Sequence, residues 1–303
     1  MLGSTFEAED AVQETLLRAW RGMDRFEGRS TLRSWLYRIA TNVCLDMLAS
    51  RQRRVRPVDL SPPGVADERL LGDPLPEVTW IEPMPDDRVL PADESALDPA
   101  DVAVARESIR LAFIAALQHL PPRQRAVLVL REVLRWKASE VAELLEMSVA
   151  SVNSALQRAR ATLQASELSA EAQLEPMDDD QRALLARYVD AFESYDMDRL
   201  TSLLAEDAAW SMPPYALWLQ THRDVRDWCL GPGIGCKGSR LLPTMANGRP
   251  AFGQYKPAAS GVGLEPWSLQ VLELSGDRIR AVTFFLDTER FFPLFGLPPR
   301  LDG

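Results

Sequence analysis

The residues best suited to chemistry recur between positions 149 and 163, where Asn153, Ser154, Gln157, Arg158 and Arg160 stand at helical spacing. Asn and Gln pair with the edge of adenine, Arg with guanine or phosphate, and Ser with either, so this set is competent to read a DNA major groove. One helix must present them on a single face while Val152, Leu156 and Leu163 pack inward. A short helix over 138–145, a turn at Glu146-Met147-Ser148 and a longer helix over 149–163 supply that arrangement, the helix-turn-helix pattern. Two preceding amphipathic helices carry Leu111, Phe113, Ile114, Leu117 and Leu120, then Ala126, Val127, Leu130 and Val133, and are separated by Pro121-Pro122. A helical hairpin that binds nothing shares this apolar pattern, so the chemistry of the outward set carries the distinction.

A second group lies nearer the start. Gly28, Arg29 and Ser30 form a turn, and the helix after it directs Leu32, Trp35, Leu36, Ile39, Val43 and Leu48 toward a core, leaving Arg38 and Asn42 on another face. Arginines continue at 51, 53, 54 and 56. Rings beside guanidinium groups suit single-stranded DNA, with bases stacked and phosphates neutralised. A small bundle with a basic face accounts for the same residues. Ahead of this group, Glu7, Glu9 and Asp10 open an amphipathic helix whose apolar positions are Ala11, Val12, Leu16, Ala19 and Trp20.

The chain has 303 residues, enough for two or three packed units, and a net charge of −10, which taken whole argues against nucleic acid. The charge is unevenly distributed. Residues 1–56 and 101–165 each carry +3, whereas 57–100 carry −9, 166–180 carry −6 and 181–303 carry −1. The proline-rich 57–100 segment shows no sustained period and reads as an acidic linker, with 166–180 as a second. Such acidic tethers can compete with DNA for the basic faces. The apolar cluster at 78–84 is either a docking element or a short exposed one. Three cysteines and two histidines without a C-x-x-C or a His pair imply neither a disulfide framework nor a metal, and no phosphate-cradling glycine loop implies a nucleotide cofactor. No apolar run is long enough to span a bilayer and the start lacks the features of a secretory signal, so a cytoplasmic protein is expected.

From 181 the texture changes. Helical patterns at 184–192, 196–204 and 223–229 are followed by strands near 240–245, 251–255, 267–274 and 279–286, with another near 208–212, an α+β domain. Trp210, Met212 and Trp267, with Tyr215, Trp218 and Trp228, are either cavity wall or simple core. Asp287 ends a strand and either binds a polar group or caps a turn. His222 is the sole histidine of this domain and reads as structural or exposed.

Both basic islands, in this order, resemble the extracytoplasmic-function sigma factors of bacterial RNA polymerase. Residues 8–20 are similar to the sigma region 2 segment that docks on the polymerase beta-prime clamp, which implies polymerase contacts at Asp10, Gln13, Glu14, Arg18 and Trp20. Residues 26–42 resemble the minus-10 capture segment, implying DNA contacts at Gly28, Arg29, Ser30, Trp35, Arg38 and Asn42. Residues 120–127 with the helix-turn-helix resemble sigma region 4, implying minus-35 contacts at Asn153, Ser154, Gln157, Arg158 and Arg160 and a second polymerase contact at the beta flap. Asn153 and Ala155 stand where many relatives carry basic residues, so no promoter sequence transfers. Met1-Leu2-Gly3-Ser4 corresponds to the end of a further region 2 helix, which implies either a start codon assigned too far downstream or a region shortened at its N-terminus.

Segments at 188–193, 209–214, 246–251 and 285–288 resemble the SnoaL-like cone, and the whole resembles sigma-G-type factors with such an extension. The implied protein is multidomain: two all-α modules at 1–56 and 101–165, linkers at 57–100 and 166–180, and an α+β cone at 181–303. It would bind core RNA polymerase and promoter DNA, with activity modulated by the last domain. Two alternatives are a SnoaL-type isomerase or cyclase and a ligand-gated helix-turn-helix regulator independent of polymerase. The clamp-like helix and strand-capture motif argue against both.

Overall fold

The computed structural model describes residues 1–28, 30–49, 53–88, 114, 117–165 and 177–302, which form two compact units. Readings at Arg29, Arg51, Leu111, Phe113, 89–100 and 166–176 lie outside the described residues.

The first unit joins 1–54 to the helices after 114. Helix α1 (Thr5–Gly22) starts at Ser4, whose hydroxyl accepts the Glu7 N–H at 3.2 Å, and packs on α2 (Leu32–Ala49). Ala11, Thr15 and Ala19, four residues apart, are its buried stripe, and their small side chains permit a close approach of the two helices. This corrects the expectation that the apolar residues of α1 share one buried face: Val12, Leu16, Leu17 and Trp20 point outward, and Trp20 is 81% exposed. Leu32 of α2 is also exposed, while Val43 is buried.

Pro122 occupies the first turn of α3 (Pro122–Leu128), where its missing N–H costs nothing, and the helix continues as a π-type turn through Val133. Helix α4 (Ala138–Leu144) is closed by Glu146 in the left-handed region at φ 55°, with the Met147 N–H donating to the Ala142 carbonyl at 2.8 Å. Ser148 then caps α5 (Val149–Ala165), accepting the Ser151 N–H at 3.1 Å. Ala126, Val127, Val141, Val152, Ala155 and Ala159 form a continuous core, against which Tyr37 and Leu45 of α2 pack. Arg125, buried within it, donates to the carbonyls of Met1 at 2.7 Å and of Gln118 and Leu120 at 3.3 Å each, and to Gln118 Oε1 at 2.9 Å. Burial pushes its guanidinium down to about 10, so it remains charged at neutral pH.

The second unit holds 55–88 and 177–302. Its helices are α6 (Asp179–Glu193), α7 (Met197–Ser202), α8 (His222–Leu230) and α9 (Thr288–Leu294). Its strands are β1 (Leu204–Ser211), β2 (Trp218–Leu219), β3 (Arg240–Ala246), β4 (Arg249–Pro257), β5 (Leu264–Ser275) and β6 (Arg278–Phe285). They form one sheet in the order β2-β1-β6-β5-β4-β3, in which β1 and β6 run parallel and the other pairs antiparallel. The run from β3 to β6 is antiparallel throughout, and the one parallel pair arises where β1 joins β6. Leu184, Tyr188, Leu200, Leu219, Leu272 and Val282 anchor the core beneath α6, α7 and α8.

The segment at 57–100 reads by composition as a linker, but its described part is tied to this domain at several points as a strap. Val55 and Trp80 form a parallel bridge, and Trp80, Ile81 and Glu82 are buried. The Gly64 N–H donates to the Trp218 carbonyl and the Trp218 Nε1–H to the Ser61 carbonyl, both at 2.8 Å. Further along, the Leu75 N–H donates to the Pro214 carbonyl at 2.9 Å. At the two-residue β3–β4 turn, Asn247 and Gly248 take positive φ, as a type I′ hairpin requires, and Met84 exchanges hydrogen bonds with Asn247 at 2.9 Å in both directions. Four of its acidic residues are engaged: Asp86 accepts the Gly248 N–H at 2.7 Å, Asp59 pairs with Arg56 at 3.2 Å, and Arg290 binds Glu77 and Glu82.

Candidate functional site

In α5, the outward set is determined by the core. Val152, Ala155, Leu156 and Ala159 are buried, so Asn153, Ser154, Gln157, Arg158 and Arg160 are all exposed on the opposite side. Ala155, treated in the sequence as a departure at the reading surface, is 3% exposed and belongs to the core; a basic residue there would bury a charge. Arg160 pairs with Glu132 at 2.7 Å, whereas Arg158 makes no ion pair among the described residues. The face therefore offers amides and a hydroxyl for base edges, one cation ready for phosphate and one held in reserve.

On α2, Trp35, Arg38 and Asn42 follow one another at three- and four-residue steps and so lie along one stripe. Gly28 is exposed at φ 70° in the preceding turn, and Ser30 is half-buried. Trp35 is half-buried and packs on Phe26, with ring centroids 5.1 Å apart, so it shapes the turn more than it offers a free stacking surface. Arg38 reaches Glu143 of α4 at 3.5 Å, and Tyr37 meets Trp136 edge-on at 5.3 Å. The two DNA-reading modules are thus in contact within the first unit, a feature that separate motifs could not reveal.

On α1, Asp10, Gln13, Arg18 and Trp20 are exposed and Glu14 is half-buried. Arg18 bridges Glu14 at 2.7 Å and Asp46 of α2 at 3.0 Å, bracing the helix pair. Beside this polar rim, Val12, Leu16, Leu17, Trp20 and Met23 leave an apolar surface open, the mark of a protein-binding face.

In the second unit, Trp210, Met212 and Trp267 line one cavity of about 240 Å3, and Trp228 and Phe284 complete its aromatic wall. Its polar lining includes Gln254, Tyr195, Cys229 and Cys236, and Glu68 and Leu71 of the strap contribute a further wall. Trp218 instead receives the strap. Asp287 lies on a neighbouring cavity of about 320 Å3, where it caps α9 and binds Arg290 at 3.3 Å, so capping is its observed role. His222 faces the Ala205 carbonyl at 3.0 Å and does not line the 240 Å3 cavity. Among the described residues, no cluster of three His, Cys, Asp or Glu could hold a metal, and no helix is long and apolar enough to cross a membrane.

Two helical readers, one ending in a helix-turn-helix, joined to a mixed-sheet domain define a DNA-binding transcription factor with an accessory domain. The Sigma-70 region 2 family matches residues 1–54 and the Sigma-70, region 4 family residues 110–163. The chain is 47% identical over 306 aligned positions to the ECF RNA polymerase sigma factor SigG of Mycobacterium tuberculosis, covering 99% of this chain and 80% of that protein. It is 29% identical to the ECF RNA polymerase sigma factor SigW of Bacillus subtilis, covering 54% of this chain and 76% of that one. The crystal structure of the M. tuberculosis extracytoplasmic function sigma factor SigJ shares the fold over 98% of this chain and 92% of its own, at a TM-score of 0.59 and 22% identity. The chain belongs to the extracytoplasmic-function sigma factors of RNA polymerase, and it directs transcription initiation at promoters. Its C-terminal helices and mixed sheet share the fold of the corresponding part of the SigJ structure. Family membership, rather than any missing catalytic group, decides against the isomerase and the polymerase-independent regulator.

Proposed function

We propose that this sigma factor divides its work among three surfaces. The exposed apolar face of α1, rimmed by Asp10, Gln13, Glu14, Arg18 and Trp20, docks on the polymerase beta-prime clamp, while region 4 meets the beta flap. Arg38 and Asn42 of α2, with the Gly28-Arg29-Ser30 turn, hold the separated minus-10 strand by phosphate contacts and base capture. Asn153, Ser154 and Gln157 discriminate minus-35 bases, each good contact contributing about 1–3 kcal/mol, and Arg158 and Arg160 bind phosphate.

The observation that carries this reading is the partition of α5, in which every apolar residue from 152 to 159 is buried and every candidate reader is exposed. The C-terminal domain modulates the activity through the strap, since the chain between the two readers passes across it from Val55 to Arg88. Promoter-dependent transcription with core polymerase tests the whole. The N153A/Q157A chain should lose promoter selectivity while keeping polymerase binding; retained selectivity would reject the assignment of the reading face.

A further inference from the structure

The 240 Å3 cavity of the second unit has a wall chemistry that selects its ligand. An apolar cavity of roughly 150 Å3 accepts benzene, so this one has room for two fused rings. Tryptophan and phenylalanine faces dominate the wall, and of its polar groups Gln254 and Tyr195 are already committed, whereas the half-buried Tyr215 hydroxyl makes no hydrogen bond among the described residues. Gln254 is fully buried; its Oε1 accepts from Ser268 at 2.8 Å and Gln270 at 2.9 Å, and its Nε2 donates to Ser239 at 3.1 Å. The Tyr195 hydroxyl donates to the Cys229 carbonyl at 2.6 Å and lies 2.9 Å from that of Gly233. Burial pushes the Cys229 thiol up to about 12, and burial also raises Cys236 against the opposing effects of Gln254 and Lys256, so both remain uncharged at neutral pH. The sole ionised group on the lining is Glu68, exposed on the strap, while Arg290, Asp287 and Glu82 are confined to the neighbouring cavity.

We propose that this cavity binds a neutral aromatic molecule of about two fused rings, and that occupancy holds the strap against the C-terminal domain. Leu71 and Glu68 line the cavity only while the strap is docked, and Leu71 packs against the domain core. A ligand touching both walls binds the docked arrangement better and so shifts the strap toward it. An anionic ligand would meet Glu68 on the strap and no cation on the lining itself, since Lys256, 3.7 Å from the centre of the Trp267 ring, is not a lining residue. The proposal rests on the modulatory reading only for its consequence in transcription; the binding and the strap response are measured without polymerase.

The test uses the full chain and 1-naphthol, followed by calorimetry and by hydrogen exchange at the Gly64 and Leu75 amides, which hold the strap through Trp218 and Pro214. Saturable one-to-one binding with slower exchange at both amides is expected. Naphthalene-1-sulfonate, with the same rings and a negative charge, should bind at least about tenfold more weakly, and L71A should weaken 1-naphthol by about tenfold through lost apolar contact. A cooperative thermal transition will show that L71A is folded, even where lost packing of Leu71 on the core lowers its midpoint. Absence of 1-naphthol binding, equal affinity for the sulfonate, or binding without altered exchange at Gly64 and Leu75 would each overturn the proposal.

Discussion

The two arginines of the reading helix should behave differently toward DNA, and the difference can be calculated from their surroundings. Each phosphate neutralised by a side chain contributes about 0.9 to the slope of log K against log salt. Arg158 is exposed and makes no ion pair among the described residues, so R158A should reduce that slope by about 0.9. Between 50 and 200 mM salt, the gap between wild type and variant should then narrow by about 3.5-fold. Arg160 must first leave Glu132, 2.7 Å away with both side chains roughly half exposed, a pair whose strength at such exposure is about 0.5 kcal/mol. R160A should therefore lose less affinity, and E132Q should raise affinity by about twofold at low salt by freeing Arg160. Fluorescence anisotropy of labelled duplex DNA with the full chain across this salt range is the assay. An unchanged slope for R158A would refute the assignment of the exposed α5 face to the phosphate backbone, since lost folding cannot arise from so exposed a side chain.

Three further outcomes follow from the same structure. L16A/W20A should lower core polymerase affinity by about 2–4 kcal/mol in a competition assay, with the thermal transition unmoved because both side chains are exposed. R125M should destabilise the first unit by about 3 kcal/mol in denaturant unfolding, since the carbonyls of Met1, Gln118 and Leu120 would lose their buried donor. R290A should release the strap at Glu82, raising hydrogen exchange at the Met84 amide by about thirtyfold if the pair contributes about 2 kcal/mol.

Local periodicity was enough to place the reading helix. With apolar residues at 152 and 156 and polar ones at 153, 154 and 157, only one rotation of α5 buries the right side, and charge divided by segment located both basic modules. The same logic failed on α1 because hydrophobicity says that Val12, Leu16 and Trp20 seek burial without saying against what. Small Ala11, Thr15 and Ala19 face the interior, and the larger residues remain for a partner. Ala155 is a position the helical period leaves open, since an alanine suits either side of a helix, and packing placed it in the core.

By itself, the sequence determined the order of the modules, the helix-turn-helix and the α+β character of the last domain, since each depends on residues close together in the chain, whereas it left open whether the aromatics of that domain wall a cavity or fill a core. Only the tertiary structure decided that an acidic, proline-rich segment lies across that domain. Composition describes such a segment as a solvated tether, whereas the Met84 backbone finds the side-chain amide of Asn247 across 163 positions, a pairing that neither local stretch announces. Long-range pairing of this kind, like the parallel match of β1 with β6, leaves no local signature, because a hydrogen-bonding backbone does not name its partner in advance.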